Sequence, residues 1–509
     1  MAAAKTRRTI GQRLLDGIER AGNRLPDPAT LFFYGIIIVL ALSVALSEMG
    51  VKAWHPGKNA EIGVTNLLSA ESLKNILVNM PKTFTDFPPL GLVLMMVLGV
   101  GVAERAGLIG AALGGLVRAV PKRLLSLAVV FAGVNASIAA DAGYVVLLPL
   151  AAAVYAGAGR HPLAGLAAAF AGVAGGFSAN LVITPLDPLL AGLTQAAAQI
   201  IDPARTVAVT SNYFLMIALV PLFSIIGAWV TDRIVEPRLN ASSLKLAEIA
   251  EPPAQDAESR RREKRGLRYA GFMFLLMLVG AGFLVVPEGA VLRGEDGSIE
   301  PFLKALVAIL FIMFLVCGIA YGKGAGTIRK DTDTVRMMTA SIADMAGYIV
   351  LAFVVAQFLG LFNQSNLGAI LAINGADVLK NAGYTGLPLL LSFVVLSMLI
   401  NILIASASAK WAILAPIFVP MLMLLGISPE ATQAAFRIGD SATNPITPLM
   451  VYFPLILIMA RRYVPEFGIG SLVATMMPYA VWFSIFSTAL LGLWFWLDIP
   501  FWPGIGSKM

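Results

Sequence analysis

The sequence predicts an all-α polytopic membrane protein made of inverted repeats, with nine transmembrane helices, two opposed re-entrant hairpins and broken helices. Three observations carry this. Hydrophobic residues make up 58% of the 509 positions, charged residues 13%, and the mean hydropathy is +0.81. A soluble chain of this length could not bury so much apolar surface. Apolar runs of about 20 residues, enough to cross the hydrocarbon core, recur along the chain. One pattern also occurs twice, as SANLVITPL at 178–186 and SATNPITPL at 441–449. The two copies agree at Ser, Ala, Ile, Thr, Pro and Leu, and each interrupts an apolar run.

The segment 1–30 is basic and lacks a short apolar core followed by a small-residue cleavage site, so it reads as a retained cytoplasmic segment. Spans are expected at 31–48, 88–106, 163–195, 211–231, 268–287, 301–320, 337–362, 431–460 and 475–497. Residues 107–120 fit either the tail of the second span or an interfacial helix. The runs 124–157 and 387–425 are too long for one crossing. They are interrupted by NASIAADAG (135–143) and NILIASASAK (401–410). Each reads as a hairpin that enters and leaves on one side, its irregular backbone buried in protein or lining water. The polar stretch 236–267, with RRREKR at 260–265, reads as a cytoplasmic linker between a first half, 31–235, and a second half, 268–509.

Charge supports this layout. With the N-terminus cytoplasmic and the C-terminus periplasmic, the inside segments hold 25 of the 37 Lys and Arg residues and the outside segments 9. The net charge of +7 therefore reads as positive-inside bias rather than as a nucleic-acid surface. Cys317 is the single cysteine, which excludes disulfides within one chain. His55 and His161 belong to no metal-ligand spacing, and no HExxH, P-loop or nucleophile–base set occurs. No enzyme activity and no cofactor are expected.

Each half places a small-residue hairpin before a broken span. Asn135 and Asn401 occupy matching places, as do Pro149 and Pro416, and Pro162 and Pro429. The first hairpin opens inward and the second outward, so the repeats are inverted. Inverted repeats with discontinuous helices point to a secondary transporter; an ion channel is the rival from another class.

Proline removes a backbone donor and clashes with the preceding turn. Pro185 with Pro188, and Pro445 with Pro448, follow Gly175, Gly176 and Gly439. The helices should open around 178–184 and 441–447. Freed carbonyls beside Ser, Thr and Asn oxygens suit a coupling cation, Na+ or H+. Half-helix N-termini suit a carboxylate. The candidate cation-binding residues are Asn135, Asp141, Ser178, Asn180, Thr184, Asn401, Asp440, Ser441, Asn444 and Thr447. Asp187, Arg437 and Asp440 lie in spans, and Asp141 and Lys410 at hairpin tips, where charge is costly and marks function. Asp187 reads as a proton or cation group or as a structural partner for an arginine. Arg437 and Asp440, three apart on one helix, can pair with each other. Trp411 follows the second tip directly and reads as a platform for an aromatic ring or as an interfacial residue.

Three stretches, IASASAKWA (404–412), SPEATQAAFRIGDSATNPITPL (428–449) and SANLVITPLDPLL (178–190), resemble the p-aminobenzoyl-glutamate transporter (AbgT) family of the ion-transporter superfamily. The resemblance runs over essentially the whole chain. It implies nine transmembrane helices, two opposed hairpins and a bowl-shaped homodimer in the bacterial inner membrane. It implies a functional set of Asp187, Ser408, Trp411, Pro429 and Arg437, and a sodium site grouping Asn401 with Asp440. It also implies uptake of p-aminobenzoyl-glutamate, or efflux of sulfonamide antimetabolites, by alternating access driven by an ion gradient. The partners are then an aromatic anion, the lipid bilayer and a second copy. A sodium-coupled dicarboxylate symporter of the same superfamily is the nearer rival.

Overall fold

The computed structural model describes residues 26–56, 59–138, 143–241, 257–295, 297–447, 449–450 and 452–509. Among these, nine helical stretches are long and apolar enough to cross a membrane. They are Pro28–Glu48, Ala70–Ala106, Tyr213–Asn240, Glu258–Phe283, Glu300–Ala325, Ala346–Gln364, Gly386–Leu403, Ala407–Leu424 and Ile469–Trp496. The number matches the sequence reading, but the membership differs. The expected spans 163–195 and 431–460 are too interrupted to count, and both arms of the second hairpin reach the length of a crossing helix.

The first broken segment runs as Pro162–Phe170, a π-helical turn at Ala171–Gly175, irregular backbone, and then Leu186–Ala198. The second runs as Pro429–Thr443, a 3-10 turn at Asn444–Ile446, irregular backbone, and then Phe453–Tyr463. Its helix holds through Ser441 and Thr443, so this break opens later than expected. Each of the two long apolar runs holds two helices. The first has arms Leu125–Val134 and Leu148–Gly157. The second is joined at 404–406, where Ser406 caps the second arm by accepting from the Ala409 N–H (3.3 Å). Asp141 lies outside the described residues.

Glycine explains how each broken helix seats on its own hairpin. Gly176 and Gly439 both stand two residues before the opening serine of the repeated motif. A Cβ on Gly439 would sit 2.6 Å from the Val394 carbonyl oxygen. One on Gly176 would sit 3.0 Å from Val134 Cα. Both contacts are with the first arm of the same repeat's hairpin, the close approach that small residues permit in membranes.

Other expectations need correction. The span at 337–362 begins at Ala346, because Asp331–Asp344 is a separate helix. Its start is fixed by the Asp333 carboxylate, which accepts from the N–H groups of Arg329 (2.9 Å) and Lys330 (3.0 Å). The linker 236–267 is helical at Glu236–Asn240 and again from Ala257. Residues 108–119 form a helix of 12 residues, too short to cross. The sequence reading missed the hairpin strands Lys52–His55 and Ala60–Gly63 and the helices Ala70–Thr85 and Leu367–Asn381. None of these has the long apolar run that marks a span.

Arg160 ties the first hairpin to the far end of the helical stretch Tyr213–Asn240. Its Nε donates to Glu236 (3.0 and 3.1 Å), Nη1 to Ser126 (2.9 Å), and its guanidinium lies 4.3 Å from the Tyr155 ring centre. Next to it, burial holds the His161 imidazole below its usual pKa. Neutral, its ring nitrogen accepts from the Leu163 N–H (3.2 Å) and caps the first broken helix.

Candidate functional site

A cavity of about 710 Å³ lies between the hairpin tips and breaks on one side and the helices Pro88–Ala106, Asp331–Asp344 and Ala346–Gln364 on the other. Ser137, Thr184, Ser408, Asp440 and Asn444 line it from the repeats. Arg105, Ser341, Asp344 and Tyr348 line it from the other helices. Its aromatic faces are Phe177, Tyr348 and a stacked pair, Tyr144 and Tyr452, with ring centres 4.1 Å apart.

The breaks pack against each other behind this wall. The Ser178 N–H donates to Ser441 Oγ (3.0 Å), so the opening serines of the two motifs meet. The two hairpin asparagines have parallel tasks. Asn135 Oδ1 accepts from the Leu181 N–H (3.1 Å). Asn401 Nδ2 donates to the Asp440 carbonyl (2.7 Å), Thr443 Oγ1 (2.8 Å) and Asn444 Oδ1 (2.9 Å). Each braces the broken segment of its own repeat. Asn180, Thr184, Asn444 and Thr447 are buried in the same two clusters. Asn180 accepts from Ser137 Oγ (2.7 Å), and Thr447 Oγ1 donates to the Thr443 carbonyl (3.0 Å).

Two buried ion pairs join these segments. Arg437 pairs with Asp187, their side chains 3% and 1% exposed. Asp187 also accepts from the Thr184 N–H (2.6 Å) and hydroxyl (2.9 Å), which fixes the backbone entering Leu186–Ala198. Lys410 pairs with Asp440 and donates to Asn401 Oδ1, and both charged side chains are buried. Arg437 and Asp440 therefore do not pair with each other, contrary to the sequence expectation. Each faces a different opposite charge from another element, and a buried charge needs that partner. The sequence places Lys410 at a hairpin tip without a partner; its pairing with Asp440 comes from packing across the fold.

The expected sodium pair is Asn401 with Asp440. One oxygen of each already contacts the Lys410 ammonium, so the chain itself supplies a cation there. These residues do not fit a sodium ion while Lys410 stays in place. Among the described residues no cluster of His, Cys, Asp and Glu could hold another metal.

Of the five residues implied as the functional set, only Ser408 lines the cavity. Pro429 is the first residue of its helix, after Ser428 accepts from the Ala431 N–H (3.1 Å). Trp411 is fully buried and is not a free platform. Its Nε1 donates to Thr194 Oγ1 (2.9 Å), and its ring stacks on Phe436 at 4.6 Å. Thr194 in turn donates to Gln433 (2.7 Å), so the indole is a joint between the second hairpin and both broken helices. Trp411→Phe, which keeps the stack and loses the N–H donor, is expected to cost about 1 kcal/mol. Trp411→Ala should cost about 3–5 kcal/mol through the cavity left. Thermal unfolding in detergent checks both, and equal costs would contradict the joint.

A family model described as the AbgT putative transporter family matches residues 13–509. The chain is 38% identical over 504 residues to the p-aminobenzoyl-glutamate transport protein of Escherichia coli K12, covering 98% of this chain and 97% of that one. Two solved structures are similar. The YdaH transporter of Alcanivorax borkumensis has a TM-score of 0.89 at 45% identity, covering 94% of this chain and 100% of that one. MtrF of Neisseria gonorrhoeae, described among antimetabolite efflux pumps, has a TM-score of 0.87 at 41% identity, covering 95% and 98%. Whole-chain agreement in sequence and fold, with broken helices around a shared cavity, makes this a multi-pass membrane transporter and not an enzyme: the chain belongs to the AbgT family.

Proposed function

We propose that the protein is an ion-gradient-driven secondary transporter of p-aminobenzoyl-glutamate-like folate catabolites that also exports sulfonamide-type antimetabolites. It works as a homodimer in the bacterial inner membrane, with its N-terminus cytoplasmic. The observation that carries this reading is the aromatic-walled cavity set directly against two breaks that hold the buried charge pairs. The relatives supply the substrate class: one is a p-aminobenzoyl-glutamate transport protein and another is described among antimetabolite efflux pumps.

Transport proceeds by alternating access, the hairpins and broken helices moving against the remaining helices. Asp440 is the coupling acid, because it lines the cavity and meets Lys410 behind it. A coupling Na+ must displace the ammonium to reach that carboxylate, whereas a coupling H+ must protonate the carboxylate and so release the ammonium. Asp187 and Arg437 lock the two breaks in register. Tyr144 and Tyr452 offer the stacking face that the buried Trp411 cannot.

Counterflow in proteoliposomes tests the substrate. Vesicles loaded with unlabelled p-aminobenzoyl-glutamate should transiently accumulate the labelled compound, with sulfanilamide competing and succinate not. Competition by succinate alone would favour a dicarboxylate symporter, and leak without counterflow would favour a channel.

A further inference from the structure

We infer that the acidic end of the substrate is held by Arg105 together with the Tyr348 hydroxyl, and not by Arg437. This assignment rests on the substrate class proposed above and adds the site that reads its acid group. Arg105 is the one cationic side chain among the described residues lining the cavity. Its Nε donates to Ser341 Oγ (3.2 Å) and its Nη2 to Asp344, while Nη1 has no partner among the described residues. The Ser341 hydroxyl is itself committed to the Met337 carbonyl (2.9 Å), so it holds the guanidinium plane from behind. A guanidinium fixed at two nitrogens still has N–H donors in a rigid fork, the geometry a carboxylate accepts.

A second observation points to the same ligand. The Tyr348 hydroxyl is buried in this wall and makes no hydrogen bond to the described residues. A buried hydroxyl without a partner is unfavourable, and a ligand oxygen would satisfy it. Arg437 is unsuited to this task. It is 3% exposed, paired with Asp187, donates to the Met216 sulfur (2.9 Å) and lies outside the cavity wall.

Asp344 is 64% exposed, so a substrate carboxylate can take its place on Arg105 with little loss of protein contact. The wall thus selects ligands whose acid group reaches Arg105. It lies on helices apart from the breaks, so the bound substrate bridges the two sides of the cavity.

The test compares p-aminobenzoyl-glutamate with sulfanilamide, which shares the aminoaryl group and lacks the carboxylates. Full-length Arg105→Gln and Tyr348→Phe are reconstituted beside the wild type, and half-saturation is measured for the first compound and inhibition for the second. Arg105→Gln should weaken p-aminobenzoyl-glutamate about tenfold or more relative to sulfanilamide, as expected on losing a charged hydrogen bond. Arg105→Lys should recover part of that loss. Tyr348→Phe, which removes only an oxygen and keeps the packing, should weaken it about threefold or more on the same scale. Equal weakening of both compounds, or no change in either variant, overturns the assignment. A wild type that recognises neither compound overturns the substrate reading and this assignment with it.

Discussion

Lys410→Met is expected to abolish transport and to lower stability by about 3–5 kcal/mol, the cost of leaving a buried charge without its partner. Asp440 is 1% exposed and its other carboxylate oxygen has no hydrogen bond to the described residues. Asn401 loses the donor to its Oδ1 at the same time, although its amide still braces the second break. Adding Asp440→Asn removes the stranded charge, so the double variant should regain stability without regaining flux. The place vacated by the ammonium has oxygens of Asn401 and Asp440 facing it. Sodium should therefore raise the unfolding temperature of Lys410→Met above that seen in potassium or choline, and should have no such specific effect on the wild type. Sodium-specific stabilisation of the wild type, lost on Asp440→Asn, would show that the ion and not the lysine fills the site.

The second large effect is expected at Asp187. Asp187→Ala strands Arg437, 3% exposed, and releases the Thr184 N–H that fixes the end of the first break. We expect loss of transport and a cost of about 3–5 kcal/mol, while the chain still inserts and dimerises. Asp187→Ala with Arg437→Ala should be more stable than either single variant, because no charge remains unpaired. Exchanging the residues, Asp187→Arg with Arg437→Asp, should not restore transport. The pair would return, but Thr184 would meet a donor where it needs an acceptor. Flux and thermal unfolding on the same preparations check this, and restored flux in the exchange variant would reduce Asp187 to a simple charge partner.

Local features of these segments could be read directly from the sequence. Proline and glycine act on the backbone within a turn, so Pro185, Pro188, Pro445 and Gly176 announce the breaks wherever the chain goes. The same holds for Asn135 and Asn401, whose partners lie in the same repeat. What could not be read is pairing across the fold. Arg437 and Asp187 are 250 residues apart, and the local rule that neighbours on a helix pair pointed to Asp440 instead. Trp411 looked free because it follows a hairpin tip, but Thr194 on the first broken helix offers its N–H a buried acceptor. Arg105 and Tyr348 joined no motif; only the packing of three helices against the breaks places them on one wall. A search for apolar runs also passes over Ala70–Thr85 and Leu367–Asn381, which are helical without being long and apolar.

The central claim is that an ion gradient moves an aromatic acid through the cavity at the two breaks. Flux of labelled p-aminobenzoyl-glutamate into proteoliposomes tests it most directly, with proton and sodium gradients imposed separately on the wild type, Asp187→Ala and Lys410→Met. The account predicts saturable flux in the wild type that one of the two gradients drives, and no driven flux in either variant. Wild-type flux that ignores both gradients, or driven flux that survives both substitutions, would contradict it.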